Sequence, residues 1–199
     1  MFILPAAMLF DMDGTLTVPM LDFPRIKEEM GILDDAPILE ALARMDGERR
    51  QQAERILLCH EDRAARLSTL SAGCRELLAW LSERGVRTGI VTRNSRASAE
   101  LVLRRHGLRM DALVTRELGR YKPDPAPVRE ACRMLNVRCK DTWVVGDGQY
   151  DVEAGLAAGA TAVWVSLDRC RSFAAEPSLT VRDLQELLAT LQALVEKAK

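Results

Sequence analysis

Residues 6–15 read Ala-Ala-Met-Leu-Phe-Asp-Met-Asp-Gly-Thr, an apolar run that stops at Phe10 and gives way to two acids, a glycine and a threonine. A short continuous apolar run without polar alternation is what a strand covered on both faces requires. Four more runs of the same kind follow, at Val86–Thr92, Ala112–Thr115, Thr142–Gly146 and Thr161–Val165. Amphipathic stretches with helix signals separate them. Gly73–Arg84 carries Leu77, Leu78 and Leu81 and stops at Gly85; Arg96–His106 follows an N-cap at Ser95 and ends before Gly107. Asp124 caps and Pro125 opens a helix to about Leu135, and Asp151–Ala158 precedes Gly159. Thr180 is the expected cap of a last helix to about Lys197, with Leu184, Leu187, Leu188, Leu191, Leu194 and Val195 on one stripe. Strand and helix in alternation predict an α/β fold: a parallel sheet with right-handed crossovers.

One segment breaks the alternation. From Val18 to Ala72 no strand is read, only helices at Arg25–Met30, at Pro37–Met45 after Asp35, and at Glu48–Leu70 behind a cap at Asp46. The long helix has an apolar stripe of Ala53, Ile56, Leu57, His60, Ala64 and Leu67. The predicted division is therefore an α/β core domain from residues 1–17 and 73–199, and a helical cap domain from residues 18–72 inserted after the first strand.

The 199 residues carry 28 Lys plus Arg against 29 Asp plus Glu, a net charge of −1, which excludes a nucleic-acid binder driven by bulk charge. The apolar run from Met1 to Phe10 is too short for a membrane helix and is interrupted by Pro5. It lacks the basic flank of a secretory leader, so no membrane partner is expected. Five scattered cysteines without a C-x-x-C spacing read as reduced thiols of a cytoplasmic protein. Two histidines cannot make a three-His zinc site, and His106, at a helix end, suits the dipole as a cation.

In an open parallel sheet, ligands bind beyond the carboxyl ends of the strands. There the chain places Asp11-Met-Asp13-Gly14-Thr15, Thr92-Arg93-Asn94, Lys122-Pro123, and Asp147-Gly-Gln-Tyr-Asp151. Residues i and i+2 of an extended chain point the same way, so Asp11 and Asp13 can face one ligand, and Gly14 allows a sharp turn beside it. Adding Asp147 makes three carboxylates, costly unless a cation sits among them. Oxygen donors imply a hard divalent ion, Mg²⁺, and with it a phosphoryl substrate. Thr92 offers a hydroxyl to phosphate. Lys122 offers a positive charge, which Pro123 is expected to project from the sheet edge on extended backbone, and it could also tie to Asp147 or Asp151.

D-M-D-G-T at Asp11–Thr15, V-T at Val91-Thr92, K-P at Lys122-Pro123 and G-D-G-Q-Y-D at Gly146–Asp151 resemble, in order, the four motifs of the haloacid dehalogenase-like superfamily. The helical insert resembles the cap of its phosphoglycolate phosphatase and phosphoglucomutase-like branch. The resemblance implies a Rossmann-like core with helices on both faces and a Mg²⁺-dependent phosphatase acting on a small soluble phosphorylated metabolite. The alternative is a sugar-phosphate mutase on the same core. It also implies roles. Asp11 would be the nucleophile that forms an aspartyl-phosphate, and Asp13 the general acid and then base. Lys122 would stabilise negative charge, and Thr92 would hold phosphate. Backbone N–H groups around Gly14 and Arg93 would also reach phosphate. The metal set would be Asp11, Asp13 through its backbone carbonyl, Asp147 and Asp151. Dehalogenases of the superfamily lack the second acid, so Asp13 favours a phosphatase. Arg93 and Asn94 are expected to reach substrate. The cap is expected to choose the substrate. Its candidate tools are Arg49, Arg50, Arg63 and Arg66 with His60, against the alternative reading of these residues as a solvated helix face, and Met20, Leu21 and Phe23 read as hinge and cap packing. A monomer or weak dimer is expected.

Overall fold

Six strands form one parallel sheet in the order β3-β2-β1-β4-β5-β6: β1 Ala7–Phe10, β2 Arg87–Val91, β3 Ala112–Val114, β4 Thr142–Gly146, β5 Thr161–Val165 and β6 Leu179–Val181. The structure is a computed structural model and describes residues 4–170 and 172–197. The first three residues of the opening apolar run, and the last two of the stretch 73–199, lie outside the described residues. The first five strands fall on the five apolar runs.

Around the sheet lie α4 (Cys74–Glu83), α5 (Arg96–His106), α6 (Ala126–Met134), α7 (Gln149–Ala158) and α8 (Leu184–Lys197); α1 (Phe23–Glu29), α2 (Ile38–Arg44) and α3 (Gly47–Leu67) lie in the insert between β1 and β2. Side chains of β1 alternate between two cores, as the period of two demands. Met8 and Phe10 pack with Leu77 and Leu81 of α4, Val102 of α5 and Leu187 and Leu191 of α8. Ala7 and Leu9 pack with Val128, Ala131 and Cys132 of α6 and Ala154 of α7. Helices therefore cover both faces, which is why the strand runs are apolar throughout.

The insert has an apolar cluster of its own, drawn from Ile26 and Met30, Ile38, Leu39 and Leu42, and Ala53 and Leu57. Its two connecting segments run side by side. Val18 N donates to Thr69 O at 3.0 Å and Ser71 N to Leu16 O at 2.9 Å, and Thr17 bridges Leu70. That pairing ends α3 at Leu67, short of the expected Leu70, because residues 69–71 give their hydrogen bonds to the outgoing segment.

Several expectations need correction. Thr180 does not cap the last helix: it lies in β6, and Asp183 is the cap, its Oδ1 accepting from Glu186 N at 2.8 Å. The stripe of α3 is Ala53, Leu57, Glu61, Ala64 and Ala65. Glu61 replaces His60, and Leu67 is 52% exposed. Asp124 caps α6 as expected, its Oδ1 accepting from Ala126 N at 2.8 Å with Pro125 already at helical dihedrals, although the regular helix is counted from Ala126; α7 starts two residues early at Gln149. His106 does end α5, but its surroundings work against a cation there. Burial, Arg105 and Arg75 lower its basicity below the ordinary 6.5, and its Nε2 lies 2.8 Å from Ser68 Oγ. All five cysteines are free, and burial pushes the thiols of Cys74 up to about 11 and of Cys132 up to about 12.

Candidate active site

Parallel register sets β1 level with its neighbours: Phe10 pairs with Ile90 on one side and Val145 on the other. The carboxyl ends of β1, β2 and β4 therefore reach one edge together. Asp11 is fixed there by its own N–H, which donates to Val145 O at 2.9 Å. Beyond β4 the chain passes through Gly148 into α7, and Asp151 in its first turn reaches back to accept from Gly148 N at 3.1 Å, the N-terminal half of a capping box. A Cβ on Gly146 would lie 2.1 Å from Asp151 Cγ, so only glycine leaves Asp151 its place.

Lys122 crosses from the loop after β3 to join these acids. Its Nζ lies 2.6 Å from Asp11 Oδ1 and 2.5 Å from Asp151 Oδ1, and the residue is 3% exposed. The expected projection from the sheet edge is thus corrected: Lys122 points inward, and the Lys122–Pro123 peptide is cis. Burial opposes the ammonium, but Asp11 and Asp151 outweigh it and raise its basicity. Burial also pushes Asp11 up to about 8, against the pull of Lys122.

Asp13 stands in a different setting. Asn94 Nδ2 donates to its Oδ2 and Thr17 Oγ1 lies 3.4 Å from its Oδ1. Burial lifts its carboxyl to about 6, the Asn94 bond notwithstanding. Thr92 is buried, and its Oγ1 accepts from Asn94 N at 3.1 Å, which aims the amide of Asn94 at Asp13 and leaves the hydroxyl proton of Thr92 to another acceptor.

Oxygens of Asp11, Asp147 and Asp151 all lie within 4.8 Å of one another. Gly14, at φ +82°, is where the loop turns beside them: a Cβ there would come 2.5 Å from Asp147 Oδ2. Three close carboxylates are a hard, all-oxygen donor set, and burial raises Asp147 as well as Asp11. A divalent cation would favour the ionised form of each, so the residues fit such an ion. The carboxyl of Asp13 stays outside this trio, held by Asn94. The N–H of Gly14 donates to Thr17 O at 2.8 Å, so what this residue gives the site is room rather than the phosphate-binding N–H expected of it.

Three further residues were not foreseen. Arg169 Nη2 lies 2.8 Å from Asp147 Oδ2 and 3.3 Å from its carbonyl oxygen. It lies in the loop after β5, whereas the expected site residues follow β1 to β4. Glu61 of α3 is 2% exposed, ion-paired with Arg116 and bonded to Ser95 N at 3.2 Å. An acid at position i+4 from Leu57 was the signal. Glu40 of α2 holds Arg93 at 2.6 Å, while Arg93 also donates to Lys122 O and lies over the rings of Tyr121 and Tyr150. Arg93, expected to reach substrate, here ties the insert to the sheet edge.

A cleft of about 530 Å³ opens over these groups, between the sheet edge and the insert. Met20, Leu21 and Phe23 line it; Leu21 also packs against the insert's apolar cluster, as its reading as cap packing expects, whereas the exposed Met20 and Phe23 depart from that reading. Arg49, Arg50, Arg63, Arg66 and His60 are not in its wall. Arg50 and Arg66 pair with Glu54 and Asp62 one turn along α3, as a solvated face would, and His60 Nε2 lies 2.7 Å from Glu29.

The family model described as haloacid dehalogenase-like hydrolase matches residues 27–165 of this chain. An uncharacterised hydrolase of Saccharomyces cerevisiae is 32% identical over 165 residues, covering 79% of this chain and 75% of that protein. The N-acetylmuramic acid 6-phosphate phosphatase of Pseudomonas aeruginosa is 31% identical over 176 residues, covering 77% of this chain and 78% of its own. Among solved structures, a HAD phosphatase from Thermococcus onnurineus superposes with a TM-score of 0.69 at 25% identity, over 93% of this chain and 97% of that one.

Proposed function

Because this chain belongs to the haloacid dehalogenase-like hydrolase family, we propose that it is a Mg²⁺-dependent phosphatase that cleaves a small phosphorylated metabolite through an aspartyl-phosphate on Asp11. The observation that carries this reading is Lys122, buried and bonded at once to Asp11 and Asp151 beside Asp147. A cation so placed orients the Asp11 carboxylate and balances the charge of an incoming phosphoryl group.

The steps fall to named side chains. An Asp11 oxygen attacks phosphorus, the bond from phosphorus to the alcohol oxygen breaks, and Asp13 gives its proton to the departing alkoxide. Asp13, lifted to about 6, holds a proton in a useful fraction of molecules near neutral pH. Asn94 and Thr17 keep its carboxyl turned toward the leaving group. Once ionised, Asp13 takes a proton from water, which attacks phosphorus and returns Asp11 to its carboxylate. The Thr92 hydroxyl donates to a phosphoryl oxygen. Asp11, Asp147 and Asp151, with the backbone carbonyl of Asp13, are the residues that would hold Mg²⁺, which when bound neutralises phosphoryl charge.

Phosphate release from a panel of phosphorylated metabolites tests the reading. Release should need Mg²⁺, stop with EDTA and return when Mg²⁺ is restored. Release at an unchanged rate in EDTA would contradict the metal assignment, and no release from any ester would contradict the phosphatase.

A further inference from the structure

Resting on that phosphatase reading, the chemistry of the cleft wall selects among phosphate esters. The insert side of the cleft is built from Met20, Leu21, Phe23, Ile38, Leu39 and Leu57. Met20 is 43% and Phe23 53% exposed, so two large apolar side chains stand at the mouth with much of their surface in water. The charges around them are already used. Of the four cations in the wall, Lys122 is held by Asp11 and Asp151, Arg169 by Asp147, and Arg93 by Glu40. Glu61 adds a buried acid on the same side, itself held by Arg116. Among the described residues Lys27 alone is left, on the helix whose other contribution to the cleft wall is Phe23.

We infer that the preferred substrate is a phosphomonoester whose alcohol is uncharged and largely apolar, an alkyl or arylalkyl ester, rather than one bearing a second anion. The phosphate has Lys122 and the sheet edge to receive it. The alcohol then faces the apolar wall, and covering Met20 and Phe23 removes their surface from water. A carboxylate or second phosphate at that place would be stripped of water among apolar groups with one lysine to answer it, and close to the acids Glu40 and Glu61.

The test compares n-hexyl phosphate and benzyl phosphate with 2-phosphoglycolate and inorganic pyrophosphate, each assayed with Mg²⁺ on the wild-type chain. The hexyl and benzyl esters should exceed both competitors, each of which bears a second anionic group, in kcat/KM by more than about tenfold, the scale of a few buried methylenes. Phe23→Ala, at an exposed position, should raise KM for hexyl phosphate about fivefold or more with kcat held. Met20→Lys should move the ratio of hexyl phosphate to phosphoglycolate toward the latter. A hexyl-to-phosphoglycolate ratio of tenfold or less, or KM values that Phe23→Ala does not shift, would overturn the inference while leaving the phosphatase standing. Release from none of the four compounds would overturn both.

Discussion

Asp11 and Asp13 differ by two positions and by everything around them. Lys122 answers Asp11, while Asn94 and Thr17 answer Asp13. Burial raises both carboxyls, Asp11 to about 8 and Asp13 to about 6; Lys122 pulls Asp11 back toward the carboxylate, as a bound divalent ion would, while Asp13 has only neutral hydrogen-bond partners and exchanges its proton near neutrality. Asp13→Asn keeps the size and a partner for Asn94 but cannot move a proton. It should lower kcat by about 10²–10⁴-fold on an alkyl phosphate, with KM near that of the wild type. A loss below tenfold would remove Asp13 from proton transfer. At this scale the sequence was informative wherever a residue followed a strand directly: Asp11, Thr92 and Asp147 sit at the edge for that reason alone. Arg169 lies four residues beyond the end of β5, so position directly after a strand does not pick it out. Lys122 and its tie to Asp151 were legible, but not its burial: the expected projection from the edge gives way to an inward course set by acids that lie 111 and 29 positions away. Arg93 shows the limit most clearly: a cation next to Thr92 looks free in sequence, and its partner Glu40 lies 53 positions away.

Among the elements, α3 has the most unusual join to the sheet. It packs on α5 through a face that includes the carboxylate of Glu61, answered by Arg116 and by the N–H of Ser95, the residue that caps α5. The Glu61 side chain is 2% exposed and that of Arg116 16%, so removing one partner strands the other in a place poor in water. Arg116→Leu should cost about 3–5 kcal/mol in urea denaturation, and adding Glu61→Leu should recover part of that loss. A single substitution costing under about 1 kcal/mol, the range of a surface pair, would mean that the pair is solvated. Helical periodicity predicted α3 but not this acid, since a stripe is read from its apolar members. The strand β6 was invisible for a different reason. It has three residues, Leu179–Val181, too few for a period, and it exists because Val163 and Val165 of β5 offer it a ladder. Thr180 looked like a cap only while that ladder was unknown.

At the scale of the whole molecule, alternation of strand and helix yields the α/β class, but not the order β3-β2-β1-β4-β5-β6, which depends on which helix covers which face. The division into sheet and insert is held by the paired segments at 16–18 and 69–71, and closed over the cleft by Arg93–Glu40 and Glu61–Arg116. Ser68 and His106 lie at the same junction. His106 binds its proton less tightly in the folded chain than at the ordinary 6.5. The unfolded chain therefore takes up more protons as pH falls through that value, and stability falls with it; above 6.5 the contribution is full. His106→Gln should flatten this acid limb in urea denaturation followed on both sides of 6.5. An acid limb as steep as that of the wild type would place the effect elsewhere.

The proposed function requires one carboxylate, that of Asp11, to take a phosphoryl group and give it up again. That can be caught directly: during turnover of an alkyl phosphate, quench the enzyme, reduce with borohydride, which converts an acyl phosphate to an alcohol, and sequence the peptide around position 11 by mass spectrometry. The expected result is homoserine in place of Asp11. An unmodified Asp11, in a sample that has released phosphate and yields homoserine at another acid, would contradict the mechanism.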